Sequence, residues 1–141
     1  MSTTIFEPYI HLVEYCETDA MKIVHHAEYV KWMEYARHDY LLKAGFDWAE
    51  LEQIHGVMMP ILSVNVDYKN MVRFGESVDI YISMEKFNGI YLDFSYVIKK
   101  HDGDEVKAMG HTRSGFVDRE YHPIILKYGY PEYYEKLQKF N

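Results

Sequence analysis

Between Ala27 and Ala44, apolar side chains fall at Tyr29, Val30, Met33, Ala36, Tyr40, Leu41 and Ala44. Those spacings of three and four define one face of a helix; Glu28, Lys31, Glu34, Arg37 and Lys43 mostly occupy the other side. At about 1.5 Å per residue such a helix is about 27 Å long, and Gly45 supplies its stop signal. No comparable stretch recurs. Asp47 caps a short second helix over 47–53, and after Gly56 the period drops to two. Val57 to Tyr68 carries Ile61, Leu62, Val64 and Val66; Ser77 to Phe87 alternates through Val78, Ile80, Ile82 and Met84. The Asn88-Gly89 dipeptide predicts a hairpin into Ile90–Lys100, and His101-Asp102-Gly103-Asp104 predicts a turn into a run from Glu105 to Asp118. Ile5 to Glu14 reads as a first strand, and 131–140 as a short amphipathic helix with Tyr134 and Leu137. With no crossover helices between the later strands, the sheet is expected to be largely antiparallel, an α+β fold with one long helix on one face. The other face then needs cover, for which a second subunit is the natural candidate.

A chain of 141 residues is expected to form a single domain over 1–141. Its fourteen tyrosines suit an interface, where a ring is buried and its hydroxyl satisfied. The net charge of −7 argues against nucleic acid as a partner. Cys16 is the single cysteine, so no internal disulfide can form and a reducing compartment is the simplest reading. No apolar run approaches the ~20 residues needed to span a bilayer. Residues 1–5 show neither a basic nor an apolar signal region. The expectation is a cytoplasmic protein without membrane insertion.

The run from Tyr15 to Tyr29 (YCETDAMKIVHHAEY) concentrates the chemistry. It can place the Asp19 carboxylate near the N-terminus of the long helix, where unpaired N–H groups and about half a positive charge await an anion. A carboxylate beside an oxyanion-binding helix end is the minimum equipment for hydrolysing an activated acyl group. By itself, Asp19 in Thr-Asp-Ala reads as a turn or cap residue. Glu17 reads as a solvated charge and Cys16 as a small packed residue. His55, His101, His111 and His122 are scattered, and no Cys or His stands at zinc-ligand spacing, so no metal is expected.

Thr18-Asp19-Ala20-Met21, Ile23-Val24-His25-His26-Ala27-Glu28-Tyr29 and Trp32-Met33-Glu34-Tyr35-Ala36-Arg37 resemble the signature of hotdog-fold acyl-CoA thioesterases. The similarity is greatest to the 4-hydroxybenzoyl-CoA thioesterase branch, which includes the small Tol–Pal-associated thioesterases. Tyr68 through Arg73-Phe74-Gly75-Glu76, Ala108-Met109-Gly110-His111-Thr112 and Phe116-Val117-Asp118 extend it to roughly residues 8–126. The resemblance implies a hotdog fold, a homodimer or homotetramer, and an acyl-CoA substrate, with coenzyme A arriving as part of the substrate and no further cofactor. It implies that Asp19 attacks the carbonyl or directs a water. The His26 backbone N–H receives the oxyanion, and the His26 side chain lines the acyl pocket or holds water. His25 belongs with the substrate contacts. Met59, Pro60, Ile61 and Ser63 become pocket candidates across a dimer interface, and Arg73, Lys86 and Arg113 candidates for the coenzyme A phosphates. A thiolate leaving group (pKa near ~8.5) departs without a dedicated general acid, so nucleophile-or-base and oxyanion donor suffice.

Three positions depart from the family pattern. Lys22 stands where glycine is common, Met71 where many members have proline, and the segment around Phe87-Asn88-Gly89 lacks a basic run. Two rival readings keep the fold but change the partner or the activity: a thioesterase acting on acyl carrier protein, and a non-catalytic acyl-CoA-binding protein. A hotdog dehydratase fits less well, because the carboxylate lies in the loop before the helix.

Overall fold

A computed structural model describes residues 6–141. Strands β1 (Tyr9–Leu12), β2 (Ile61–Tyr68), β3 (Ser77–Phe87), β4 (Leu92–Lys100) and β5 (Val106–Ser114) form one antiparallel sheet in the order β1-β3-β4-β5-β2. Helix α1 (Glu28–Lys43) lies across one face, followed by α2 (Trp48–His55). A short turn α3 (Leu126–Gly129) and helix α4 (Pro131–Gln138) close the chain. This is the hotdog architecture: an antiparallel sheet around one long helix.

The core is the seam between α1 and the inner face of β3–β5. Trp32, Met33 and Ala36 of α1 are fully buried, as are Ile80, Phe94 and Ile98 on the sheet. Each large apolar side chain so enclosed contributes roughly 1.5–3 kcal/mol. Tyr40 meets Phe94 edge-on, with ring centroids 5.0 Å apart. Gly110 permits the close approach of α1: a Cβ there would lie 2.8 Å from Met33 Sδ and 3.0 Å from the Asn65 carbonyl.

The helix ends follow the local sequence. Gly45 takes φ +81° just beyond α1. The Asp47 side chain accepts from the Glu50 N–H at 3.0 Å and caps α2, which Gly56 ends at φ +70°. The first strand is shorter than expected, and Ile5 lies outside the described residues. β4 starts at Leu92 rather than Ile90. The Asn88 side-chain oxygen takes the Ile90 and Tyr91 N–H groups, folding 88–91 into a loop instead of a two-residue turn. The Gly89 carbonyl accepts from Leu126 at 2.7 Å and so docks the tail.

Several surface assignments are corrected. Arg37 is 7 % exposed and Glu17 7 %, whereas Cys16 is exposed. The outer face of the sheet is not an apolar surface awaiting cover. It presents Ser95, Lys99, His111 and Arg113 beside Tyr81, Val97 and Met109. Exposed apolar surface gathers instead on the edge strand β2, where Ile61, Leu62, Val64 and Tyr68 are 41–53 % exposed.

Candidate active site

The loop between β1 and α1 is rooted by one buried acid. Glu17 ends a single 3₁₀ turn (Tyr15–Glu17) and points inward. Its carboxylate accepts from Trp32 Nε1 at 2.7 Å, His11 Nε2 at 2.8 Å and the Glu14 N–H at 2.8 Å. Burial pushes its pKa up, but the three hydrogen bonds and the nearby imidazole outweigh it and hold the carboxyl below its usual range. Glu17 is therefore a structural charge, not a solvated one. It fixes β1, the 3₁₀ turn and α1 to one another.

Beyond this root the chain makes a tight excursion. Thr18 pairs with Val24, and the His25 N–H donates to the Glu17 carbonyl at 2.9 Å, so the loop returns at its own base. Asp19 opens the excursion and is exposed. Its Oδ1 accepts from the Met21 N–H at 2.8 Å and the Ile23 N–H at 3.4 Å, a side-chain-closed turn. Its other oxygen has no partner among the described residues. Lys22 takes φ +61°, the left-handed conformation that glycine adopts without strain. The reason for a glycine at this position is thus visible in the backbone.

α1 begins immediately after the loop. His25 Nδ1 accepts from the Ala27 N–H at 3.3 Å, and the His25 and His26 rings lie 4.2 Å apart, centroid to centroid. The Tyr68 hydroxyl donates to the His26 carbonyl at 2.7 Å, tying the helix start to the end of β2. Among the described residues the His26 N–H has no acceptor. His26, Tyr29, Tyr68, Lys69 and Met71 line a cleft of about 230 Å³ at this helix start. Burial pushes the Tyr29 phenol up to about 12, so it remains a neutral hydroxyl. Asp19 does not line this cleft, which Ile23 and Val24 border instead.

The remaining candidates disperse. Met59 and Ile61 line a larger cleft of about 430 Å³ between α1, α2 and the approach to β2. Pro60 joins Met59 on a neighbouring surface depression. Ser63 and Arg113 lie on the outer face of the sheet. Arg113 is already engaged: Nε and an Nη each donate to Asp93 at 2.8 Å, and the guanidinium sits over the Tyr91 ring. It ties β4 to β5 rather than standing as a free cation. Arg73 pairs through its backbone with Ile23, beside the Asp19 loop, and Lys86 stands exposed at the β3 bulge.

The larger cleft holds Arg37 and Glu34, which the helical spacing placed on the solvent side of α1. His38, to which the sequence gave no role, lines it too, with Trp48 stacked on its ring at 4.4 Å. Burial, and then the adjacent guanidinium, hold the His38 imidazole below its usual range. Arg37 had a sequence signal: it stands four residues from both Met33 and Leu41, on the apolar face of the helix.

A separate cluster lies away from these clefts. His101 Nδ1 contacts Asp79 at 2.7 Å and Nε2 contacts Asp102 at 3.1 Å, tying the β4–β5 turn to β3. The three side chains could together face a cation, but both ring nitrogens already meet carboxylates.

Known proteins share this architecture and much of this sequence. A Bacillus subtilis protein, YneP, provisionally named an acyl-CoA thioesterase, is 35 % identical over 133 residues, covering 90 % of this chain and 94 % of its own. The crystal structure of a DHNA-CoA thioesterase from Staphylococcus aureus superposes with a TM-score of 0.87 at 30 % identity, over 93 % of this chain and 87 % of that one. A hypothetical protein from Thermus thermophilus, TT1821, superposes at 0.82 and 27 % identity, over 96 % of this chain and all of that one (100 %). The sequence model of the thioesterase-like superfamily matches residues 13–126, and the chain belongs to that superfamily of thioester hydrolases.

Proposed function

We propose that this protein hydrolyses acyl-CoA thioesters to a free acid and coenzyme A, with Asp19 as nucleophile or general base and the His26 N–H as oxyanion donor. The observation that carries the reading is the His26 N–H. It lacks an acceptor among the described residues and sits where α1 starts, beside a cleft of about 230 Å³. One such donor typically stabilises the transition state by ~3–4 kcal/mol. The Asp19 carboxylate keeps one oxygen unengaged while the other holds the turn, so the group is both positioned and available. Either it attacks the carbonyl carbon, expelling the thiolate and giving a mixed anhydride that water then cleaves to the free acid and the Asp19 carboxylate, or it takes a proton from a water that attacks the carbonyl carbon and the thiolate departs as the tetrahedral intermediate collapses. The names of the acyl-CoA and DHNA-CoA thioesterase relatives support coenzyme A as the carrier. Placement in the 4-hydroxybenzoyl-CoA branch is part of the same proposal, supported by the motif around Asp19. Arg73, beside the Asp19 loop, and Lys69, at the cleft, are the cations best placed for phosphates. No metal or redox group enters the scheme.

The active unit in this reading is a homodimer, or a pair of dimers, joined through β2. An exposed edge strand with apolar Ile61, Leu62 and Val64 is a surface that folded proteins cover. Pairing there would bring a partner toward the clefts on either side of β2. The carrier test is thiol release across a panel of acyl-CoA and acyl-carrier-protein thioesters. Turnover of the acyl-CoA series is expected, and activity confined to carrier-protein thioesters would replace this reading with its rival. Sedimentation is expected to give a dimer or larger; an active monomer would remove the shared-site element.

A further inference from the structure

Lys107, near the start of β5, is 5 % exposed and has no part in the hydrolysis. Strict alternation with Met109 and His111, both exposed, would put it on the outer face of the sheet. The β4–β5 register slips at this point instead. Ile98 faces Ala108 and Lys99 faces Val106, so Lys107 is an extra residue with no opposite number. Such a bulge disrupts the ladder locally and re-aims a side chain.

The side chain is aimed at the connection between β2 and β3. Its ammonium donates to the Met71 carbonyl at 3.0 Å, pairs with Glu105 and lies 3.7 Å from Glu76 Oε2. No other donor reaches the Met71 carbonyl among the described residues. Main-chain bonds add to the hold. The Lys107 carbonyl accepts from the Lys69 N–H at 2.9 Å and the Asn70 N–H at 3.1 Å. Glu76 Oε1 in turn accepts from the Arg73 N–H at 2.8 Å.

The segment so held has two further duties. Lys69, Asn70 and Met71 line the cleft of about 230 Å³ that contains His26. On its other side the segment backs the Asp19 loop: the Val24 N–H donates to the Val72 carbonyl at 2.9 Å, and Ile23 pairs with Arg73. One buried cation therefore stands behind the stretch of chain that touches both halves of the candidate site. Apolar side chains of similar volume commonly serve stability as well as a buried ion pair does. What an ammonium adds is direction, three donors turned toward fixed acceptors.

We propose that Lys107 is a positioning residue for thioester hydrolysis. Its ammonium holds the 69–76 segment against β5, and through that segment sets the Asp19 carboxylate relative to the His26 N–H. The proposal rests on the Asp19–His26 reading.

The test is a double-mutant cycle read by thiol release from acyl-CoA. Lys107→Met keeps most of the side-chain length and removes the charge. In the wild-type background kcat is expected to fall by about ten- to hundredfold, the scale of a small misplacement of reacting groups. KM should stay within about threefold, because Lys107 does not line the cleft. In the Asp19→Asn background the same substitution should cost less than about twofold, since the group it misplaces is already disabled. An unchanged kcat, equal losses in the two backgrounds, or a loss carried by KM alone overturns the proposal.

Native-state amide exchange of the wild type is independent of whether Lys107→Met folds. The Lys69 amide is bonded to β5 and the Val24 amide to Val72. If the two loops are held as one unit, their protection factors agree within about tenfold. A larger difference shows that the Asp19 loop opens without the Lys107 anchor, and refutes the assignment. If Asp19→Asn alone keeps wild-type turnover, or the wild type hydrolyses no CoA thioester, the parent reading fails. The exchange measurement still judges whether Lys107 ties the two loops together.

Discussion

Glu17 and Asp19 are two carboxylates two residues apart, and the fold uses them in opposite ways. Glu17 is enclosed, with His11, Trp32 and a backbone N–H directed at it. Asp19 is exposed and holds its turn with one oxygen. The buried acid has spent its hydrogen-bonding capacity on architecture, and the exposed one keeps one oxygen without a partner among the described residues. In the proposed reading that oxygen faces the substrate, so the two acids divide architecture from chemistry.

The largest effect should come from the exposed member. Asp19→Asn preserves the shape and an acceptor for the Met21 N–H while removing the negative charge. We expect kcat on a suitable acyl-CoA to fall by about 10²–10⁴-fold, with stability within about 0.5 kcal/mol of wild type. Stopped thiol-release assays and thermal melts on one preparation read both. A variant that melts like wild type and keeps its turnover would show that Asp19 is only a turn residue.

Glu17→Ala should reverse that pattern. It leaves the Trp32 N–H and the His11 imidazole without their acceptor in a buried site. The expected loss is about 3 kcal/mol of stability, read by urea unfolding, with kcat well below the new Tm reduced less than about tenfold. Deep loss of turnover in a fully folded Glu17→Ala would erase the distinction between the two acids. Acid adds a finer test. The Glu17 pKa is lowered on folding, so its contribution is fully present above the unfolded carboxyl pKa and is lost as pH falls through the lower folded value. Wild type minus Glu17→Gln should thus show a stability difference that is flat near neutrality and shrinks only at acid pH. A difference that grows on acidification would mean the folded carboxyl is protonated first.

The unequal visibility of these residues in the sequence has physical causes. The long helix, the alternation of β3 and the Asp47 cap depend on neighbours a few positions away, and all were readable from local spacing. Glu17 was not, because its partners His11 and Trp32 are brought to it only by tertiary packing. Arg37 was half-visible: its spacing from Met33 and Leu41 placed it on the apolar face, while its charge argued for solvent. The loop at 88–91 misled because Asn88 spends its side chain on two backbone N–H groups, which a two-residue turn has no need of. Asp19 and His26 were legible as a motif, yet the cleft beside His26 depends on Tyr68, forty-two residues further on.

Lys22 gives the smallest effect and the sharpest probe of the exposed half of the comparison. Its φ of +61° is a conformation that costs a residue with a Cβ about 1–2 kcal/mol. Glycine removes that strain but enlarges the freedom of the unfolded chain, at a cost of roughly 0.4–1 kcal/mol. The balance for Lys22→Gly is a gain of about 0.5 kcal/mol, or a Tm increase of about 2 °C for a domain this size. Lys22→Ala keeps the Cβ and should gain nothing, so the Gly-minus-Ala difference isolates the backbone term from the lost charge. The Lys22 N–H donates to the Asp19 carbonyl at 2.9 Å, and its carbonyl accepts from Phe74 at 3.2 Å. These bonds keep the loop closed around the catalytic candidate. If the strained residue helps to hold Asp19 in place, Lys22→Gly should melt higher while kcat drops by about two- to threefold. A glycine variant that is no more stable than the alanine one would mean that these contacts already offset the strain, and that the left-handed residue places no demand on the loop.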